Sequence, residues 1–220
     1  MKILNPYVYI NSYELAEAKL RNIEYCARLC YKSEEKTGSS DNFLRGIIKS
    51  GHESVIEHEK ITAFFVIDRG VSHEIVRHRI ASFSQESTRY CNYSSDKFEN
   101  EISVIRPFFY KEGSEEFETW KKACLACEEG YINLLESGTP QQARAVLPNS
   151  LKTEIAVTMN FRQWRHFLKL RSAADAHPQI QQVCIPLLLT FKQKLPVLFE
   201  PVPYNENFSE DDFAEIKIIN

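Results

Sequence analysis

No apolar run in these 220 residues approaches the ~20 that a membrane-spanning helix needs, so a helical anchor of that kind is not expected. A basic excess is missing too. The 27 lysines and arginines face 30 aspartates and glutamates, for a net charge of -3, whereas nucleic-acid binders usually carry a surplus of cations. No GxGxxG follows an apolar stretch, which leaves a Rossmann half unsupported. Internal repeats and low-complexity tracts are absent. The opening MKILNPYVYINSYE holds one lysine and then Pro and polar residues, unlike a signal peptide, so a cytoplasmic location is expected. There the six cysteines would stay reduced. Cys124 and Cys127 form a lone CxxC and Cys26 and Cys30 stand four apart, both within helical patterns where a thiol behaves as a small hydrophobe. A zinc site wants four convergent ligands, and no second CxxC or paired His follows at suitable spacing; no metal is expected.

What is present is enough for one domain, expected to run from 1 to 220. Met1 to Ile10 alternates loosely and predicts one strand. Ser12 to Tyr31 carries Leu15, Ala18, Ile23, Cys26, Ala27 and Cys30 at helical spacing. A polar loop from Lys32 to Ser40 follows, then a helix capped by Asp41 and stopped by Gly51. Ile61 to Ile67 is dense in β-branched and aromatic residues, as a buried strand is. Asp68-Arg69-Gly70 predicts a turn, Ser72 to Ile80 a short helix, and a loop comes after it. A segment from Lys97 to Tyr110 holds a short strand around Ile102 to Ile105. Ser114 to Ser137 predicts a long helix with Phe117, Trp120, Ala123, Cys124, Cys127, Tyr131, Leu134 and Leu135 on one side. Pro140 to Pro148 is a short helix, Lys152 to Met159 a half-buried strand, Asn160 to Ser172 a helix, and Pro178 to Phe199 a last helix. The acidic tail after Pro201 is expected to be mobile at its end. The fold class is α+β: a small mixed or antiparallel sheet with helices packed on it, chiefly the Ser114–Ser137 and Asn160–Ser172 helices.

The densest chemistry lies between Val71 and Tyr93, VSHEIVRHRIASFSQESTRYCNY. Arg77, Arg79 and Arg89 accompany His73, His78 and the hydroxyls of Ser82, Ser84, Ser87, Thr88 and Tyr90. Ile75, Val76 and Ile80 suffice to dock one face of a short helix, and Arg-His-Arg at that helix's C-terminus would sit at its negative dipole end. A guanidinium fork suits a carboxylate, a phosphate or the carbonyl edge of a ring. Ser87-Thr88-Arg89 adds hydroxyls and a second fork, the set that a small phosphorylated ligand needs. A run of arginines and serines is also, more commonly, just a solvated face. Order and spacing weigh against that here. RHRxxSxxxxSxRY places seven residues of mixed type within fourteen positions and resembles the signature of the flavin-dependent thymidylate synthases.

Three further stretches resemble the same family, in the same order. Gly51-His52-Glu53-Ser54-Val55-Ile56-Glu57-His58 is like the motif that precedes a strand there. Taken alone, its two His are six apart and do not share a helical face, which argues against a metal pair. Ala143-Arg144-Ala145-Val146-Leu147-Pro148 resembles the A-R-x-x-L-P element, although one arginine on a short helix is more often simply exposed. Asn160 to Arg171, NFRQWRHFLKLR, is similar to the second signature region. The resemblance implies reductive methylation of deoxyuridine monophosphate (dUMP) to thymidylate (dTMP). It also implies 5,10-methylenetetrahydrofolate as the one-carbon donor, FAD as hydride carrier, NADPH as reductant, and a homotetramer with sites shared between subunits. It further implies a substrate set of Glu74, Arg77, Gln85, Glu86, Ser87, Arg89, Arg144 and Arg171, with Arg171 as the catalytic cation against the uracil ring. The implied flavin set is His52, Ser54, Arg77, His78, Arg79, Gln85, Asn160, Arg162 and His166. Neither nucleic acid nor membrane is an expected partner.

Three departures from the family pattern stand out. Glu74 replaces a Gln, Gln85 replaces a frequent Glu beside Ser84 for Asn, and His177 replaces the Gln of an Ala-Gln-x-Glu-Ile element. Cys91, just past the signature, is a thiol that Arg89 could activate, yet the resemblance implies no cysteine nucleophile. Two other functions compete. A non-catalytic nucleotide or RNA binder would show salt-sensitive binding to polymers and no flavin. A metal-dependent phosphohydrolase built on His52, Glu53, Glu57, His58 and His78 would lose activity to chelators. The acidic balance weighs against the first and the ligand spacing against the second.

Overall fold

The computed structural model describes residues 1–38, 41–95 and 98–220. In chain order its strands and helices are β1 (Lys2–Leu4), β2 (Tyr7–Asn11), α1 (Ala18–Leu29), α2 (Asp41–Lys49), β3 (Lys60–Asp68), α3 (Arg69–Ile75), β4 (Ala81–Gln85) and β5 (Ser103–Ile105). There follow α4 (Glu115–Leu135), α5 (Pro140–Ala143), β6 (Lys152–Asn160), α6 (Phe161–Arg171), α7 (Pro178–Lys194), α8 (Pro196–Phe199) and β7 (Glu215–Ile219). β1 pairs in parallel with β5, and the other five strands form one sheet in the order β4-β6-β3-β2-β7. The expected α+β class holds.

Several boundaries differ from expectation, each for a local reason. One strand was expected at the start. Two occur, because Pro6 between them has no N–H to give a ladder. The expected Ser12–Tyr31 helix is a 3-10 turn, Ser12–Leu15, and then α1, with Ala16 extended between them. The expected loop after it contains a 3-10 turn, Glu34–Lys36. Ser39 and Ser40 at the loop's end, and Lys97 at the start of the expected 97–110 segment, lie outside the described residues. Gly51 does stop α2: it adopts φ 75, its N–H donates to the Ile48 carbonyl at 3.0 Å, and His52 N–H reaches Ile47 at 3.1 Å.

The signature stretch is placed differently from expectation. Asp68 does not turn the chain but caps α3, its Oδ1 accepting from Val71 N–H at 2.8 Å, so the helix starts at Arg69 and is over by Ile75. Arg77-His78-Arg79 therefore lies beyond the helix, and the dipole argument loses most of its force. Ile80 is not on a docked face: it is 80% exposed with φ 65, an uncommon backbone state for a β-branched residue. The expected loop becomes β4, in which half-buried Ala81, Phe83 and Gln85 alternate with exposed Ser82 and Ser84. On α4, Phe117, Cys124 and Tyr131 are buried, whereas Ala123 and Leu134 of the expected apolar side face solvent.

The last expected helix is two, α7 and α8, parted at Leu195 before Pro196. The tail is not loose. Pro186 inside α7 cannot donate to the Gln182 carbonyl, and Ala214 N–H takes that acceptor at 3.0 Å. Asn205 ties in as well, donating to Ser172 O at 2.7 Å and to Gln181 Oε1 at 2.8 Å, and β7 then joins the sheet next to β2.

The chain divides into two compact units. Unit one comprises Met1–Tyr7, Phe65–Arg77 and Ser84–Ile155. Its core gathers Tyr93, Ile102, Val104, Cys124, Tyr131, Ala143 and Leu151, with Trp120 and Leu135 packed against them. Unit two comprises Val8–Phe64, His78–Phe83 and Ala156–Asn220. Its core centres on Trp164, whose ring meets Phe167 and Phe191 edge-on at 5.6 Å each and whose indole N–H donates to Ile61 O at 3.0 Å. Aromatic burial of this size, with the indole paired, makes α6 a rigid base for the polar residues on its other face.

Candidate functional site

In unit one the polar residues of the signature gather where β4 ends. Gln85 donates from Nε2 to the buried hydroxyls of Ser72 at 2.9 Å and Thr153 at 3.2 Å. A glutamate at this position could not donate both bonds when ionised, so the amide suits these two hydroxyls. The chain then turns: the Ser87 carbonyl accepts from Tyr90 N–H at 3.1 Å and Cys91 N–H at 2.9 Å, and Ser87 Oγ accepts from Arg89 N–H at 3.3 Å. Arg89 is exposed, with its guanidinium 5.5 Å from the centroid of the Tyr90 ring. Arg144, exposed in the 3-10 turn Arg144–Val146 after α5, donates to Thr88 Oγ1 at 3.5 Å. Arg89 and the Thr88–Arg144 pair thus bring two guanidinium groups to this turn, the kind of group that suits an anion.

In unit two the chemistry is of another kind. His78 is buried, and its Nε2 accepts from Arg171 Nε at 2.9 Å. Burial, then the charges of Arg171 and His166, push the imidazole pKa down to about 4. At neutral pH the ring is uncharged, so Nε2 offers a lone pair to the guanidinium and Nδ1 carries the proton. The edge of Phe167 packs on the same ring at 4.8 Å. Arg171 thereby has a fixed plane and a full positive charge.

Alongside lies a cavity of about 660 Å3, lined by Ile80, Asn160, Arg162, Arg165, His166 and Lys169 among others. Asn160 caps α6, its Oδ1 accepting from Gln163 N–H at 2.8 Å. Arg162 pairs with Glu57 at 2.6 Å and Glu53 at 3.7 Å, while Arg165 donates to Glu53 at 3.0 Å and to the Leu198 carbonyl. Arg165 Nε is buried with no hydrogen-bond partner among the described residues. Cations outnumber carboxylates on this wall, and a buried donor still lacks an acceptor, so the donor set suits an extended anionic ligand.

The family model described as thymidylate synthase complementing protein matches residues 13–197. A flavin-dependent thymidylate synthase of Geobacter sulfurreducens is 37% identical over 187 residues, spanning 80% of this chain and 79% of that protein. The chain belongs to this family. A second flavin-dependent thymidylate synthase, from Mycobacteroides abscessus, is 33% identical over 198 residues, spanning 80% of this chain and 77% of its own. Among solved structures, a UMP/dUMP methylase from Streptomyces cacaoi bound with 5-Br dUMP has a TM-score of 0.69 at 24% identity, covering 91% of this chain and 96% of that one. The same methylase bound with 5-Br UMP gives 0.70 at 22% identity, covering 91% and 95%. At that identity the likeness speaks to the fold alone.

For a flavin-dependent thymidylate synthase family member, the name implies a flavin cofactor. Unit two brings together the expected His78, His166 and Arg171, and places Asn160, Arg162 and His166 at the cavity. His52, Ser54 and Arg79 are exposed and are not among the residues lining it; His52 Nδ1 lies 3.4 Å from the Tyr31 hydroxyl. In unit one, Gln85, Glu86, Ser87 and Arg89 are consecutive or nearly so, Glu74 is half-buried on α3, and Arg77 is exposed just past it. The residues around these sites that sequence reasoning did not single out are Arg69, Tyr93, Arg165 and Lys152. Arg69, Arg165 and Lys152 have partners far along the chain, and only Tyr93, two residues past Cys91 and close to its partner Glu86, carried a signal: an aromatic with a hydroxyl next to an otherwise polar turn. No cluster of His, Cys, Asp and Glu suited to a metal ion occurs among the described residues, nor any helix long and apolar enough to cross a membrane.

Proposed function

We propose that this chain catalyses the reductive methylation of dUMP to dTMP, with the one-carbon unit from 5,10-methylenetetrahydrofolate and reducing equivalents from NADPH passed through FAD. Membership of the family supports the reaction class. The observation that carries the catalytic assignment is the 2.9 Å bond from Arg171 Nε to the buried, neutral His78. A cation held in one plane before substrate arrives needs no reorganisation when negative charge develops. Set against the uracil ring, Arg171 stabilises the charge that appears as N3 loses its proton, and C5 becomes a nucleophile. The phosphate is taken by Ser87, Arg89 and Arg144, whose two forks give it both charge and direction.

The cavity of unit two suits FAD: its volume of about 660 Å3 is that of a cofactor pocket, and Arg162, Arg165 and Lys169 supply cations for a diphosphate. Bound there, FAD would supply hydride transfer, which no side chain can. Asn160 and His166 orient it, and Arg162 must exchange its Glu57 partner for the ligand. In a homotetramer with shared sites, the phosphate seat and the Arg171 cation of one site need not come from one chain. A single domain over 1–220 and a cytoplasmic location complete the reading. The test is release of tritium from C5-labelled dUMP together with dTMP formation, each dependent on NADPH and methylenetetrahydrofolate. A purified chain that cannot be loaded with FAD, or that turns over no dUMP when loaded, would sink it.

A further inference from the structure

The turn that carries Ser87 and Arg89 leaves β4 through Glu86, and every polar group of Glu86 is engaged. Its N–H donates to Glu154 O at 2.9 Å, and its carbonyl accepts from Arg69 Nη1 at 3.2 Å. Its carboxylate accepts from the Tyr93 hydroxyl at 3.0 Å on one oxygen and from Lys152 Nζ at 3.1 Å on the other. The side chain is 12% exposed, and a carboxylate so far out of water persists only when paired and hydrogen-bonded.

The two side-chain donors are themselves held. Tyr93 is buried, its ring packs against Phe98 and Tyr131, and its N–H reaches the Tyr131 hydroxyl at 3.4 Å. Burial, then the Glu86 charge, raises the Tyr93 phenol pKa, so it keeps its proton and donates. Burial disfavours the Lys152 ammonium, but its bonds to Glu154 and Glu86 outweigh that and raise its pKa. Each oxygen of Glu86 and its N–H thus already has a partner within the protein. It is a four-point anchor one residue before the proposed phosphate seat.

We propose that Glu86 is a positioning residue: braced by Tyr93 and Lys152, it holds Ser87–Arg89 in the phosphate-binding conformation without touching the nucleotide. The proposal rests on the phosphate seat described under the proposed function. A turn released from its brace must be ordered again on binding, which lowers affinity rather than the rate of the bound complex.

The experiment is calorimetric titration of dUMP into the full-length, FAD-loaded protein, with steady-state kinetics and thermal midpoints in parallel. It compares wild type with Tyr93→Phe, Glu86→Gln, the double variant and Arg89→Ala. Tyr93→Phe keeps the ring packing and removes one bond, so it should fold. The expected result is a loss of dUMP affinity of about tenfold for Tyr93→Phe, with KM rising more than kcat falls. The double variant should be no weaker than Glu86→Gln alone. Weak binding by Glu86→Gln with Tyr93→Phe equal to wild type would mean direct contact with the nucleotide and overturn the proposal. Arg89→Ala weak while both brace variants bind normally would also overturn it and leave the phosphate seat standing. A kcat loss as large as the rise in KM, with a lowered thermal midpoint, would reduce Glu86 to a stability role, again against it. Wild type without measurable dUMP binding would remove both this inference and the reading beneath it.

Discussion

The two units hold their arginines in opposite ways. In unit one the cations expected to meet a ligand, Arg89 and Arg144, are exposed on two separate turns joined by the Arg144–Thr88 bond and shaped by backbone bonds and neutral hydroxyls. In unit two Arg171 is held by a neutral histidine, and Arg162 and Arg165 are already in ion pairs with Glu57 and Glu53. In the first arrangement neutral groups hold the guanidinium groups, so an arriving anion would compete with a hydroxyl and a ring rather than with a carboxylate. The second holds charge in place for a reaction, or releases it only to a ligand that competes with a carboxylate. Arginines that look alike in the sequence therefore differ in what already holds them, and the roles proposed for them as captors, fixed cation or gated contacts rest on that difference.

The sharpest way to break that division is Arg171→Ala. It should lower kcat by about 10²–10³ while dUMP affinity changes far less, as single-turnover rates and titration together would show. If affinity falls as steeply as rate, Arg171 is a captor like Arg89 and the contrast fails. Next in size is Arg89→Ala. Loss of a charge-assisted contact of roughly 1.5–3 kcal/mol should weaken dUMP binding at least tenfold, and the dependence of binding on salt concentration should flatten.

His78 tests the fixed-cation side through pH. Its folded-state pKa of about 4 lies below the ordinary 6.5, so in the window between them the unfolded chain binds a proton that the native chain does not. Stability should therefore be full above pH ~6.5 and fall as pH drops towards ~4, by on the order of 2 kcal/mol. Urea titrations of wild type and His78→Gln, which keeps an acceptor for Arg171 but cannot titrate, should differ in slope only in that window. Parallel slopes would show that the histidine is not held neutral. The smallest effect belongs to Arg162→Ala. Its pairs are exposed, so thermal stability should stay within about 0.5 kcal/mol while FAD affinity drops a fewfold, measured by flavin fluorescence.

How far the sequence foretold this depends on the distance over which each feature is decided. The strands β3 and β6, the helices starting near Ser114 and Asn160 and the stop at Gly51 follow from residues within one or two turns of each other. Asp68 was mistaken for a turn residue because an aspartate before glycine suits both a turn and an N-cap; the following Val71 N–H decided it. β4 was missed because its inward residues, Ala81, Phe83 and Gln85, are too mixed in polarity to show a period of two. The tail reads as mobile at its end because nothing near it in sequence reveals that Pro186 has left a carbonyl for Ala214 to claim.

The sequence by itself determined most of the element types though not β4 or β7, the family through four ordered motifs, and the inventory of arginines, histidines and hydroxyls from which a site could be built. Those are properties of local spacing and side-chain chemistry. Only the tertiary structure decided which of these groups are already engaged: Glu86 between Tyr93 and Lys152, Gln85 on Ser72 and Thr153, Arg171 on His78. A pairing energy depends on distance and on the exclusion of water, and neither is set until separate elements of the chain have been packed together.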